Sequence, residues 1–197
     1  GHAAEAADIF LTDGASAGVK ALMQLLVRGP HDAVLVPVPQ YPLYSAVTTL
    51  LNGTLAPYYL DEDAAWGVQE AELRRALTAA KAGGATTRAL CVITPGNPTG
   101  QSLPRAAVES ILRFAAKEKL VLMADEVYQE NVYGAAPKFV DDTARRISMS
   151  SSMREPAPRS WPLTQIATLL YGSTVAPERS TTNNASSKRR ITLLHAT

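Results

Sequence analysis

The chain has one cysteine, Cys91, so no internal disulfide can form, and a reducing compartment suits it. Aromatic side chains are scarce, at 6% of 197 residues. The Lys/Arg residues are not clustered and interleaved with aromatics as a nucleic-acid surface requires. No apolar run approaches the roughly 18 residues of a membrane helix. The N-terminal "GHAAEAADIFL" lacks a basic region, apolar stretch and cleavage site in succession, so no secretory signal is read. It also lacks an initiator methionine and reads as cut from something longer. Neither GxGxxG nor the Lys-Ser/Thr pair of a Walker loop occurs, which sets a dinucleotide-binding domain and a P-loop aside. No metal site is expected.

What remains is a composition typical of a soluble globular domain, 46% hydrophobic and 19% charged. The net charge of +1 conceals a division. Residues 1–143 carry −5, whereas residues 144–197 carry +6 and hold 16 Ser and Thr. A compositional break therefore falls near Val140 to Ala144.

Ahead of that break the pattern alternates. "IFLT" is short and apolar, and "DGASAG" turns the chain. Apolar residues at three-four spacing predict a helix from Ala17 to Val27, with Ser16 as its N-cap. "AVLVPVP" (33–39), "RALCVIT" (88–94) and "LVLMADEVY" (120–128) read as strands buried on both faces. A further strand is possible over Thr54–Leu60. Helices are expected from Pro42 to Asn52, over Val68–Gly84 and over Leu103–Lys119, the last with Pro104 in its first turn. Short apolar strands between helices of 11–17 residues predict an α/β fold with a mainly parallel sheet. Beyond Phe139 the alternation fails. The Ser/Thr/Arg-rich stretches there read as disordered, with one short isolated helix over Leu163–Gly172.

In such a sheet, ligands bind beyond the carboxyl ends of the strands, and that is where the polar punctuation falls. Small residues at Ala15 and Ser16, before a helix N-terminus, suit a phosphate, although an ordinary turn is built the same way. Tyr41 precedes Pro42, is biased to extended backbone, and could stack on a planar ligand or sit in the core. Asn97 is held between prolines in "TPGNPTG", as an amide donor or as part of a surface turn. Asp125 and Tyr128 end a strongly apolar strand. A carboxylate there needs a cation or protonated base to receive it, unless it merely caps a turn. Together these groups would suit one flat, phosphorylated, protonatable heteroaromatic.

"TDGAS", "PVPQYPLY", "VITPGNPTGQ" and "LMADEVYQENVY", in this order and spacing, resemble the fold-type I aminotransferases that use pyridoxal 5′-phosphate, most of all the alanine (glutamate–pyruvate) aminotransferases. The likeness covers about Asp8 to Phe139. It implies that Ala15 and Ser16 bind the cofactor phosphate and that Tyr41 stacks on the ring. It further implies that Asn97 and Tyr128 meet the phenolic oxygen and that Asp125 pairs with the protonated ring nitrogen. The implied reaction moves an amino group from an amino acid, alanine being the candidate, to a 2-oxo acid such as 2-oxoglutarate or pyruvate. The full-length family forms homodimers in the cytoplasm, mitochondrion or peroxisome.

The family's Schiff-base lysine belongs 35–45 residues after Asp125, where this chain reads "SWPLTQIATLL" without a lysine. Lys138 comes too early, and Lys188, in "NASSKRR", about 20 residues late. The expected organisation is a partial cofactor-binding large domain over 1–140 and a non-homologous, disordered tail over 141–197. The alternative to an active enzyme is a catalytically inactive remnant that still binds the cofactor. Cut off there, strands such as Val34–Val36 and Leu120–Met123 are expected to be short of cover.

Overall fold

The computed structural model describes residues 9–132, 166–170 and 190–195, the last two stretches by their backbone path alone. The elements run β1 (Ile9–Thr12), α1 (Ala15–Leu26), β2 (Asp32–Val38), α2 (Leu43–Leu50), β3 (Thr54–Tyr59), α3 (Glu70–Ala82), β4 (Thr86–Ile93), α4 (Arg105–Lys117), β5 (Val121–Asp125), β6 (Ile166–Leu170) and β7 (Arg190–His195). The strands form one sheet in the order β1-β7-β6-β5-β4-β2-β3, and every pairing is parallel. The α/β expectation therefore holds, and each helical segment foreseen before residue 120 is present.

The apolar runs of β2, β4 and β5 are strands because both of their faces are covered. On one face Ala33, Leu35, Leu90 and Leu122 pack with Leu73 and Ala76 of α3 and with Ile111, Phe114 and Ala115 of α4. On the other, Val34, Val36, Cys91 and Met123 pack with Val19, Leu22 and Met23 of α1 and Tyr44 and Val47 of α2. Alternate residues of one strand thus serve opposite layers, as the two-residue period of a strand dictates. The expectation that Val34–Val36 and Leu120–Met123 lack cover is overturned: each side chain tested there is buried except Val121, which is partly so. Among the described residues, α1 to α4 provide that cover.

Two further expectations give way. Helix α1 starts at Ala15, not Ala17, with Gly14 as its N-cap, so Ser16 lies in the first turn and caps nothing. Gly14 takes φ 78°, a region open to glycine at little cost, and this lets the helix begin two residues sooner. In the tail, the isolated helix expected over Leu163–Gly172 is replaced by strand β6, beside β5, with Asp125 opposite Leu169. Strand β7 also falls within the stretch expected to be disordered. Runs such as "IATLL" and "ITLLH" are too short to show a period, and a partner strand decides their state. The rest of the expected tail lies outside the described residues.

Candidate functional site

Because all strands are parallel, the loops that leave their carboxyl ends converge along one edge of the sheet. Four of these loops enclose a cavity of about 260 Å³, lined by Ala15, Ser16, Val19, Tyr41, Leu43, Ile93, Asn97, Asp125, Val127 and Tyr128. Its size lies just under the ~300 Å³ at the small end of ligand sites. All six residues singled out in the sequence line it, although they span more than a hundred positions of chain.

Each is placed by a local cause. Ala15 and Ser16 form the first turn of α1, where backbone N–H groups lack helical partners. Tyr41 sits half-exposed in the loop between β2 and α2. Asn97 is carried by a loop closed from several directions. The Gly96 N–H donates to the Gln101 carbonyl at 2.8 Å, the Gly100 N–H to the Gly96 carbonyl at 2.8 Å, and the Leu103 N–H to Thr94 Oγ1 at 3.1 Å. A Cβ on Gly96 would run into the Thr99 and Gln101 side chains, so the loop closes around a glycine. The Thr94 N–H, at the loop's base, donates to the Asp125 carbonyl at 2.9 Å and ties the ends of β4 and β5 together. Across the cavity Asn97 Nδ2 lies 3.4 Å from the Tyr128 hydroxyl, oriented to donate to it.

Asp125 is the last residue of β5 and only 7% exposed. Tyr44 Oη donates to its Oδ2 at 2.6 Å, and the Val127 N–H reaches Oδ1 at a long 3.4 Å. Among the described residues no lysine or arginine pairs with it. Burial pushes its pKa up, and the bonds from Tyr44 and Val127 only partly offset this. The neighbouring thiol of Cys91 and hydroxyl of Tyr44 are both fully buried, and desolvation raises both well above their usual values.

Sequence reading misses Tyr44. Its partner Asp125 lies 81 positions away, so the sequence carries no local signal for it. Lys138 and Lys188 lie outside the described residues. Among the described residues no lysine lines the cavity.

An open parallel sheet with a cavity at its carboxyl edge, and a carboxylate there without a cationic partner among the described residues, defines an α/β domain with a candidate ligand site. The sequence model of the aminotransferase class I and II family matches residues 2–153, and the chain belongs to that family. It is 54% identical over 139 residues to mitochondrial alanine aminotransferase 1 of Arabidopsis thaliana, covering 71% of this chain and 26% of that protein. It is 52% identical over 143 residues to glutamate–glyoxylate aminotransferase 1 of the same plant, covering 73% of this chain and 30% of that one. The solved alanine aminotransferase of Pyrococcus furiosus superposes with a TM-score of 0.60 at 25% identity, over 68% of this chain and 32% of the other. The chain thus spans less than a third of the length of the curated relatives it matches.

Proposed function

We propose that this chain is the cofactor-holding part of a pyridoxal-phosphate-dependent aminotransferase, acting on an amino acid such as alanine and a 2-oxo acid such as 2-oxoglutarate or pyruvate. The observation that carries the reading is Asp125, a nearly buried carboxylate facing the cavity with a neutral phenol as its strong partner. Left so, it favours the protonated form, and a ligand with a protonated ring nitrogen is the partner that would restore its charge.

The residues present fit the cofactor. The first turn of α1 offers N–H groups and the Ser16 hydroxyl to a phosphate. Tyr41 offers an aromatic face at the cavity mouth. Asn97 and Tyr128 supply an amide and a phenol for an anionic oxygen. When bound, pyridoxal phosphate supplies an electron sink conjugated to the amino-acid Cα. The work of this chain is to hold that ring. Asp125 would keep a proton on the ring nitrogen, Asn97 and Tyr128 would stabilise charge on the ring oxygen, and Val19, Leu43, Ile93 and Val127 would help to keep the surroundings dry. The cofactor-holding unit is taken as residues 1–140. A cytoplasmic or organellar home is part of this reading, and likeness to a relative named as mitochondrial supports the organellar one. The homodimer of the full-length family remains part of the same reading.

A second reading, a holder of cofactor without amino transfer, is favoured by the lysine-free sequence at 160–170. Absorbance spectra with pyridoxal phosphate, before and after borohydride, followed by intact mass, separate the two. Cofactor fixed at a single lysine supports a complete enzyme site. Reversible binding that Asp125→Ala abolishes, with no site-specific adduct, supports the non-covalent holder. No binding at all sinks both.

A further inference from the structure

We propose that Tyr44 is a positioning residue for Asp125, clamping one carboxylate oxygen from within the core so that the other faces the cavity for a protonated ring nitrogen. The inference rests on the cofactor reading above and adds a residue that lines no part of the cavity itself.

The geometry is specific. Tyr44 Oη takes Oδ2 at 2.6 Å, the short distance typical of a hydroxyl on a carboxylate, while Oδ1 keeps only the long contact from the Val127 N–H. The clamp is rigid at its base. The Tyr44 ring is fully buried in the layer shared by α1, α2 and the sheet, and Thr48 Oγ1 donates to the Tyr44 carbonyl at 2.8 Å one turn on. The hydroxyl position is therefore set by core packing, and the loops around the cavity have no part in it. A carboxylate so held cannot rotate about its Cβ–Cγ bond without losing a buried hydrogen bond. Among the described residues, the titratable groups around Asp125 are Tyr44 from α2, Cys91 from β4, Tyr128 from the loop after β5, and its chain neighbour Glu126, which is buried. Donation from Tyr44 opposes the upward pull of burial on Asp125, so removing the hydroxyl raises that pKa further.

A matched control is present. Tyr58 is also fully buried and donates its hydroxyl at 2.7 Å to the Cys91 carbonyl, in the other layer of the core. Tyr58→Phe deletes a buried hydroxyl of the same kind without touching Asp125.

The experiment uses the full chain with pyridoxamine 5′-phosphate, which carries no aldehyde and forms no lysine adduct. Affinity is measured against pH by calorimetry, and the Asp125 carboxyl carbon is titrated by NMR without ligand. Tyr44→Phe should move the acid limb of the affinity profile, and the ligand-free Asp125 titration, up by about one pH unit, a tenfold loss on the acid side. Tyr58→Phe should lower the Tm and leave both curves in place. Coincident curves for Tyr44→Phe and the unsubstituted chain, or an equal displacement in Tyr58→Phe, overturn the proposal. If the unsubstituted chain binds no cofactor, the cofactor reading falls. The ligand-free Asp125 titration then decides the clamp by itself, an unmoved pKa in Tyr44→Phe overturning it.

Discussion

Two buried carboxylates stand at opposite ends of the same sheet, and they are treated in opposite ways. Asp32 opens β2 at the amino edge and is 2% exposed. It accepts from the Arg28 N–H at 3.0 Å, from Arg28 Nε at 2.9 Å and from Arg88 Nε at 2.6 Å. The hydrogen bond from the Arg28 guanidinium, with Arg88 behind it, holds its carboxyl far below the ordinary range, more than offsetting burial. Asp125 closes β5 at the carboxyl edge, nearly as buried, with a neutral phenol where Asp32 has two guanidinium groups. A charge that serves only the fold is neutralised by the fold. A carboxylate left without a cation beside a cavity is one that a cationic ligand would neutralise, and the difference between the two ends singles out the carboxyl edge as the candidate binding edge.

The largest expected effect breaks this contrast at the binding end. Asp125→Asn keeps the shape and an acceptor for Tyr44 but removes the charge. Cofactor affinity should fall roughly a hundredfold, as expected for losing a charge-assisted bond in a dry site. Stability of the ligand-free chain should move the other way. A carboxyl whose folded pKa is raised contributes stability below its unfolded value, and that contribution is lost as pH rises through the folded value. At neutral pH and above, Asp125→Asn should therefore hold or raise the Tm, and a lower Tm there would contradict the assignment.

At the other end the signs reverse. Asp32→Ala should cost about 3 kcal/mol at neutral pH, because the Arg28 N–H and two guanidinium groups lose their acceptor. Cofactor affinity should be unchanged. The folded pKa of Asp32 is depressed, so its contribution is present above the unfolded value near ~3.9 and is lost as pH falls through the folded one. Urea denaturation of both chains along an acid series should show the gap closing with acid. A gap that stayed constant would mean the ion pairs add little.

How much of this was legible in the sequence follows from the range of each signal. Runs such as Ala33–Pro39 betray a strand covered on both faces, because near-continuous apolar sequence has few other homes. The cavity residues were legible because each sits at a strand end behind its own local punctuation. The N-cap was misplaced by two residues because Ser16 and Gly14 both suit the position, and only the backbone angle chooses. The Tyr44 clamp joins residues 81 positions apart, and no local spacing encodes it. Strands β6 and β7 went unseen for a related reason: segments of five or six residues, only partly apolar, become strand when a neighbouring edge pairs with them.

The smallest expected effect sharpens the account of the amino edge by asking which arginine matters. Arg28 makes more bonds to Asp32, but its side chain is 71% exposed against 37% for Arg88. Water competes for the more exposed partner and salt screens it, so the number of bonds overstates its worth. Arg88 also reaches Asp32 from β4, 56 positions away, and joins two strands, whereas Arg28 is four residues distant and already near by chain connectivity. Arg88→Met should therefore cost about 1 kcal/mol in denaturant unfolding. Arg28→Met should cost less, and raised salt should shrink its loss more than that of Arg88→Met. The reverse order would mean that guanidinium fork geometry at Arg28 outweighs solvent competition. Even then the amino edge would neutralise its own carboxylate with guanidinium groups, whereas at the carboxyl edge Asp125 has a neutral phenol.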